Sequence, residues 1–230
     1  MAANSFPINS KITPELDPEF RPAILEHQSY LTAVRRSGNS VPVRIALERN
    51  DHQISTVEIP VFKNDREMLN GGFFYVERFV KTLLWQKGGW KFTFGGPPSI
   101  GQYFKYVYAP GGLREFDAQF MGRLYKRPFS IDITELEKVP KSQETSQSIG
   151  RHLNGCGIAL DLGSSDCRVS AVVNGKGFIT GWLNELAFMP VDYNTGAPVD
   201  EWSGDYGCGV KYFSQDAVLR LAAKAGITFN

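Results

Sequence analysis

The chain has 230 residues, 42% of them hydrophobic and 21% charged, with 25 Lys plus Arg against 24 Asp plus Glu. Such a make-up is that of an ordinary globular protein able to bury about 70% of its unfolded surface, and it excludes the strongly basic surface that nucleic acid or acidic lipid would call for. No run approaches the ~20 apolar residues of a membrane span, and the segment from Met1 to Pro7 lacks the basic and apolar parts of a signal peptide, so a cytoplasmic location without membrane or nucleic-acid partners is expected.

Residues 1–22 carry Pro7, Pro14, Pro18 and Pro22 among polar residues and read as an extended arm. Alternation over Val41–Arg49 and again over Ile54–Phe62, with a turn-like Asn50-Asp51 between, predicts an antiparallel pair. Beyond Gly71-Gly72, Val76, Phe79, Val80, Leu83 and Leu84 recur at helical spacing as far as Gly88-Gly89. A short aromatic strand follows at Trp90–Phe94. Ile100, Tyr103, Phe104, Val107 and Tyr108 predict a second helix. Leu113, Phe116, Phe120, Met121 and Leu124 predict a third, before a strand at Phe129–Thr134. These aromatics fit core packing better than a stacking platform. The Gly-Pro segments at Gly95–Pro98 and Ala109–Gly112 lack the spacing of phosphate loops. Residues 23–137 therefore read as an α+β domain.

Residues 138–152 are polar and without period, which marks a linker. Next, Ile158, Ala159 and Leu160 run into Asp161-Leu-Gly-Ser-Ser165, and Arg168–Val173 resumes as a second strand. Gly163 would let backbone approach an anion, Ser164 and Ser165 carry donors, and Asp161 is of the type that holds magnesium. A plain polar hairpin turn is the alternative. Towards the end, Ser214 suits a helix N-cap, Asp216 its first turn and Gly226 its C-terminal cap, with Val218, Leu221, Ala222 and Ala225 as the expected buried stripe. Asp192, Asp200 and Asp205 fit no calcium loop and read as solvated loop carboxylates. Cys156, Cys167 and Cys208 form no C-x-x-C pair, so neither a disulfide framework nor a cysteine-rich zinc site is expected. His27, His52 and His152 lie in separate segments without a second metal ligand at helical spacing.

The segment Asp161, Gly163, Ser164, Ser165 and Arg168 resembles the D-x-G-[GST]-[ST]-x-x-R motif that opens the nucleotide-binding lobe of the ROK family, the sugar kinases and repressors of the actin-like ATPase and sugar-kinase superfamily. The segment from Asn184 to Asp192 resembles that family's G-E-x-G-H-x-P-V-D, with Phe188 in place of the histidine. Gly204–Gly209 resembles the segment that contributes three cysteines to a structural zinc, of which Cys208 alone is present. The resemblance covers about residues 150–230. It implies an α/β chain whose region 153–230 is a partial actin-like, ribonuclease H-like fold. It also implies ATP and Mg2+ as cofactors, without zinc, and small-molecule carbohydrate and nucleotide as partners, and it leaves homo-oligomers open. Asp161, Gly163, Ser164, Ser165, Arg168, Gly207 and Gly209 would serve the nucleotide, Asp161 the metal and Glu185 the sugar.

The family's catalytic Asp belongs to an N-D-x-N segment between the two motifs, and no such segment lies between Lys176 and Asn184. Asn50-Asp51 and Asn64-Asp65 both precede the hairpin and lack its context. Three readings follow: a shortened relative of a phosphate-transferring sugar kinase, a non-catalytic sugar or nucleotide sensor, and a structural interaction protein. The hairpin strands are expected either in their own partial sheet or added to an edge left by residues 41–62.

Overall fold

The computed structural model describes residues 6–145, 147–149, 155–162, 167–173, 176–179 and 182–228, and in the strands from 147 to 179 it is the backbone that is described. The chain is an α/β protein with two four-stranded sheets among the described residues.

The first sheet has the order β2-β1-β3-β4. Strands β1 (Ser40–Glu48) and β2 (Ile54–Phe62) pair antiparallel over their full length, as their alternation requires. Strand β3 (Lys91–Gly95) adds antiparallel to β1, and β4 (Ser130–Thr134) adds parallel to β3. A parallel step needs a long crossover. It is supplied by helices α4 (Pro98–Val107) and α5 (Glu115–Tyr125). Before them come α1 (Ala23–Ser37), the single turn α2 (Asp65–Glu67) and, after a π turn at Met68–Gly72, helix α3 (Phe73–Lys87).

Helix α1 has no counterpart among the expected elements. Its buried positions are Glu26, Tyr30 and Val34, so a polar residue interrupts the apolar stripe. Glu26 is tolerated there because Arg21 pairs with it. Residues 6–22 make turns at Pro14–Asp17 and Asp17–Phe20 and are anchored at their ends, where Phe6 meets Tyr30 edge-on at 5.2 Å and Arg21 Nη2 donates to Phe6 O at 2.8 Å.

The core fills with Ile45, Leu47, Phe92, Phe94, Ile100 and Phe104, all at most 1% exposed. Each such side chain contributes roughly 1.5–3 kcal/mol by leaving water. Helix α4 buries its expected stripe and α5 buries part of its own: Met121 is buried and Phe116 and Phe120 pack against the core, whereas Leu113 and Leu124 are exposed and Asp117 takes an inward place. The last helix, α6 (Gln215–Lys224), covers only part of its expected stripe: Ala222 is buried and Leu221 half-buried, Val218 and Ala225 are exposed, and Ala217 is buried in addition. In both cases helical spacing marks an apolar stripe, but the neighbour decides how much of it is covered. Ser214 stands at the N-cap of α6 and uses its carbonyl rather than its hydroxyl, accepting from Ala217 N at 3.1 Å.

Within the polar stretch after residue 138, residues 140–145 run beside the outer edge of β2. Ile54 and Gln143 exchange backbone hydrogen bonds of 2.8 and 2.9 Å, and Thr56 N donates to Ser142 Oγ at 2.9 Å. Polar composition suits this role, since covering a strand edge takes hydrogen bonds and no apolar face.

The second sheet has the order β5-β8-β7-β6 and is antiparallel throughout. Its strands are β5 (Gln147–Ile149), β6 (Cys156–Leu162), β7 (Cys167–Val173) and β8 (Lys176–Ile179). The hairpin strands thus have a sheet of their own and are not added to the edge of 41–62. Among the described residues no helix is long and apolar enough to cross a membrane.

One acid-sensitive contact sits in the α1–α3 interface. His27 Nδ1 and the Tyr75 hydroxyl share a hydrogen bond, and burial lowers the imidazole from 6.5 to about 4. The unfolded chain therefore takes up this proton before the folded chain does. Stability from His27 is full above about pH 6.5 and is lost as pH falls towards 4. Thermal unfolding followed across that window should show a falling midpoint, and His27→Gln should flatten the slope between pH 6.5 and 4.

Candidate functional site

The segment after the second sheet folds back over α3. Leu183, Asn184 and Glu185 donate their backbone N–H groups to the carbonyls of Lys87, Gln86 and Trp85 at 3.3, 2.9 and 3.0 Å. The last turn of α3, which would leave carbonyls without partners, is closed in this way. Glu185 Oε1 accepts from Ala187 N at 3.0 Å, so the carboxylate that the resemblance gives to sugar lies at a half-buried turn and is held by backbone. Phe188, which replaces the family histidine, is 5% exposed and packs against Trp85 at 4.6 Å and Phe116 at 5.2 Å. An aromatic ring completes that apolar cluster where an imidazole would need a partner for its N–H.

Residues 186–192 and 207–210 lie side by side. Pro190 and Cys208 form a bridge, Gly209 N donates to Met189 O at 2.9 Å and Val210 N to Ala187 O at 2.8 Å. The approach is so close that a Cβ on Gly207 would lie 2.0 Å from Asp192 O, and one on Gly209 would lie 2.1 Å from Leu186 O. The close approach expected of these two glycines is made to the protein's own carbonyls.

Sequence reasoning treats Asp192, Asp200 and Asp205 as solvated, and the structure corrects all three. They are 1%, 3% and 2% exposed. Asp192 Oδ1 accepts from Arg21 N at 2.9 Å and Asn194 N at 2.8 Å, and its Oδ2 accepts from Tyr212 Oη at 2.5 Å. Asp200 accepts from Ser203 N at 2.8 Å and Ser203 Oγ at 2.5 Å. Turn carboxylates of this kind satisfy nearby N–H groups, which permits their burial.

Asp205 is the centre of an ionic cluster. A single oxygen, Oδ2, accepts from Arg78 Nη1 at 2.6 Å, Lys81 Nζ at 2.6 Å and Arg114 Nη1 at 2.8 Å. Helix α3 presents Glu77, Lys81 and Trp85 on one face at spacings of four, with Arg78 beside them. Arg114 stands at the N-cap of α5 and Asp117 in its first turn. Glu77 pairs with Arg114 Nε, and Asp117 Oδ1 accepts from Trp85 Nε1 at 2.6 Å and lies 3.7 Å from Lys81 Nζ. Three cations thus meet three carboxylates, and none of the six residues is more than 2% exposed.

Burial alone would raise the Asp205 carboxyl, but Arg78, Lys81 and Arg114 together hold it far below the ordinary carboxylate range. Asp117 is raised by burial, against the pull of Lys81, Arg114 and its hydrogen bond from Trp85. Cys208 Sγ lies 3.7 Å from Asp205 Oδ2, and burial pushes the thiol up to about 11, so it is a protonated thiol and not a nucleophile. The Arg78 guanidinium stacks over the Tyr206 ring at 4.1 Å and over Phe74 at 5.5 Å. With all six side chains buried, this cluster joins the segment after residue 182 to α3 and α5. Its signal in the sequence is the apolar surround of Arg78 and Lys81. Tyr75, Val76, Phe79, Val80, Leu84 and Trp85 leave α3 without a face for solvated charge.

In the hairpin, Asp161 is the register partner of Arg168 and Leu162 that of Cys167. Gly163, Ser164 and Ser165 lie outside the described residues. The structure therefore brings Glu185, Gly207 and Gly209 into one folded segment, and for Asp161 and Arg168 it gives the backbone pairing. Among the described residues no three His, Cys, Asp or Glu side chains gather to hold a metal ion. No protein-family model, no curated protein and no solved structure matches the chain.

Proposed function

We propose that the chain is a nucleotide-binding protein of the ROK sugar-kinase lineage that binds MgATP at the hairpin 156–173 without transferring its phosphate. The observation that carries this reading is the antiparallel pairing of β6 with β7. Asp161 is the register partner of Arg168, and the sequence between the two strands contains Gly163, Ser164 and Ser165. A short connection between paired strands, with a glycine and two hydroxyls, has the donors that phosphate needs, and a carboxylate at the strand end suits Mg2+. Asp161 would hold the ion, and Gly163, Ser164 and Ser165 would donate to phosphate oxygens. Bound Mg2+ neutralises the phosphate charge. Glu185 would accept from a hydroxyl of a carbohydrate. Gly207 and Gly209 have no part in this, because both already sit against backbone carbonyls.

Binding without transfer rests on the missing N-D-x-N segment, since no carboxylate of that context is available to take the proton of an attacking hydroxyl. In a thermal-shift series with MgATP, MgADP and hexoses, nucleotide at about 100 times its Kd should add about 2.7 kcal/mol of stability. Asp161→Ala should remove the effect, and a coupled assay should detect no hexose phosphate. Absence of any shift with either nucleotide would sink the binding claim. Steady phosphorylation of a hexose would sink the claim that transfer is absent.

A further inference from the structure

A cavity of about 630 Å3 lies between the turn after α4, the outer side of α5 and the start of β4. Its size is that of sites for small organic molecules, which run roughly 300–1,000 Å3. One wall is apolar, made by Phe129, Pro110 and Pro128, with Tyr108, only 5% exposed, 5.4 Å from the Phe129 ring. The other wall carries three exposed cations, Arg123, Lys126 and Arg127.

Among the described residues that line it, the only carboxylate is Glu115. It already accepts from Gly111 N at 3.1 Å and from Gln119 Nε2 at 2.9 Å. The three cations differ from it in being unspent. Among the described residues Arg123 and Lys126 have no side-chain partner, and Arg127 has only the face of Trp90, 4.9 Å from its guanidinium.

These cations are set by a tight turn. Lys126 N donates to Arg123 O at 3.3 Å and Arg127 N to Gly122 O at 3.1 Å, closing the C-terminus of α5. Lys126 takes a left-handed φ of 55° to do so. Glycine is the usual residue at such a position, and an L side chain there is strained. A lysine at this place gives up backbone stability and puts a positive charge at the cavity mouth, a pattern found where strain serves binding.

We propose that this cavity binds a phosphate monoester carried on a flat ring, the phosphate held by Arg123, Lys126 and Arg127 and the ring laid against the half-buried Phe129. Guanidinium groups fit phosphate oxygens in pairs, and ring stacking supplies the affinity that an inorganic anion lacks. The site is independent of the hairpin and of the reading given to it above.

Phenyl phosphate, inorganic phosphate and phenol, titrated calorimetrically into the full chain, test this. Phenyl phosphate should bind, inorganic phosphate at least tenfold more weakly and phenol more weakly still, with the phenyl phosphate affinity falling as salt rises. Arg123→Gln and Arg127→Gln should each weaken phenyl phosphate about tenfold or more, while Asp161→Ala leaves it unchanged. Lys126→Gly should weaken binding while leaving the thermal midpoint equal or higher, which a purely structural lysine would not do. Equal affinity for phenyl phosphate and inorganic phosphate, loss of binding in Asp161→Ala, or full binding in both arginine variants would each overturn the proposal. So would an absence of binding at millimolar phenyl phosphate.

Discussion

Replacing Asp205 by Ala is expected to lower stability by about 3–5 kcal/mol, seen as a drop in the chemical-denaturation midpoint at unchanged m. The cause is the imbalance left behind. Arg78, Lys81 and Arg114 all direct a donor at Asp205 Oδ2 from positions no more than 1% exposed. Without it, Glu77 and Asp117 remain as two carboxylates for three desolvated cations. Domains of this kind hold only about 5–15 kcal/mol in all, so the loss would unfold a large share of molecules on mild heating. A double change, Asp205→Leu with Arg78→Met, should recover part of the loss, because removing a buried pair costs far less than orphaning one partner. If the two single changes simply added, the ion pair would not be the source.

The same group gives an acid limit. Asp205 has a folded pKa well below its ordinary value of 3.8, so its contribution is complete above about pH 4 and is lost as pH falls further. That window lies below the one set by His27, and the Asp205→Ala protein should lack the lower step while keeping the upper.

Gly207→Ala is the second change of large effect, with an expected cost of about 4 kcal/mol or more. Two penalties combine at this residue. Its φ of 69° is a left-handed conformation that costs alanine about 1–2 kcal/mol. The new methyl would also lie 2.0 Å from Asp192 O and 3.0 Å from the carbonyl carbon, backbone that has no free space to retreat. Displacing Asp192 would disturb the acceptor of Arg21 N and Tyr212 Oη as well. Gly204→Ala is the control: it shares the positive φ and meets no atom within 4 Å, so only the conformational cost remains. Equal midpoints for the two variants would refute the steric part.

What could be read in the sequence was whatever repeats locally. The alternation of Val41–Arg49 and Ile54–Phe62 gave the β1–β2 pair, and Gly71-Gly72 and Gly88-Gly89 bracketed α3. Long-range partners were not readable. Ser203-Gly-Asp-Tyr-Gly has the composition of an open turn, and nothing within it tells that Arg78 and Arg114 converge on its aspartate. Leu113, Leu124 and Val218 have the spacing of a buried face and are exposed, because burial depends on what lies opposite. The candidate site divides the same way. The Asp161–Ser165 segment is legible as a local pattern, whereas the cavity beside α5 gathers residues from a turn, a helix end and a strand start.

The cluster around Asp205 also constrains the order in which a nascent chain acquires its structure. Arg78 and Asp205 are 127 residues apart, and Arg21 and Asp192 171 apart. During synthesis, helices α3 and α5 leave the ribosome long before their counter-charge does. Until Asp205 arrives, Arg78, Lys81 and Arg114 can be accommodated only in water, so α3 cannot complete its burial. The first sheet must therefore wait, partly open, for a segment made 127 residues after Arg78, and contacts of such separation close slowly.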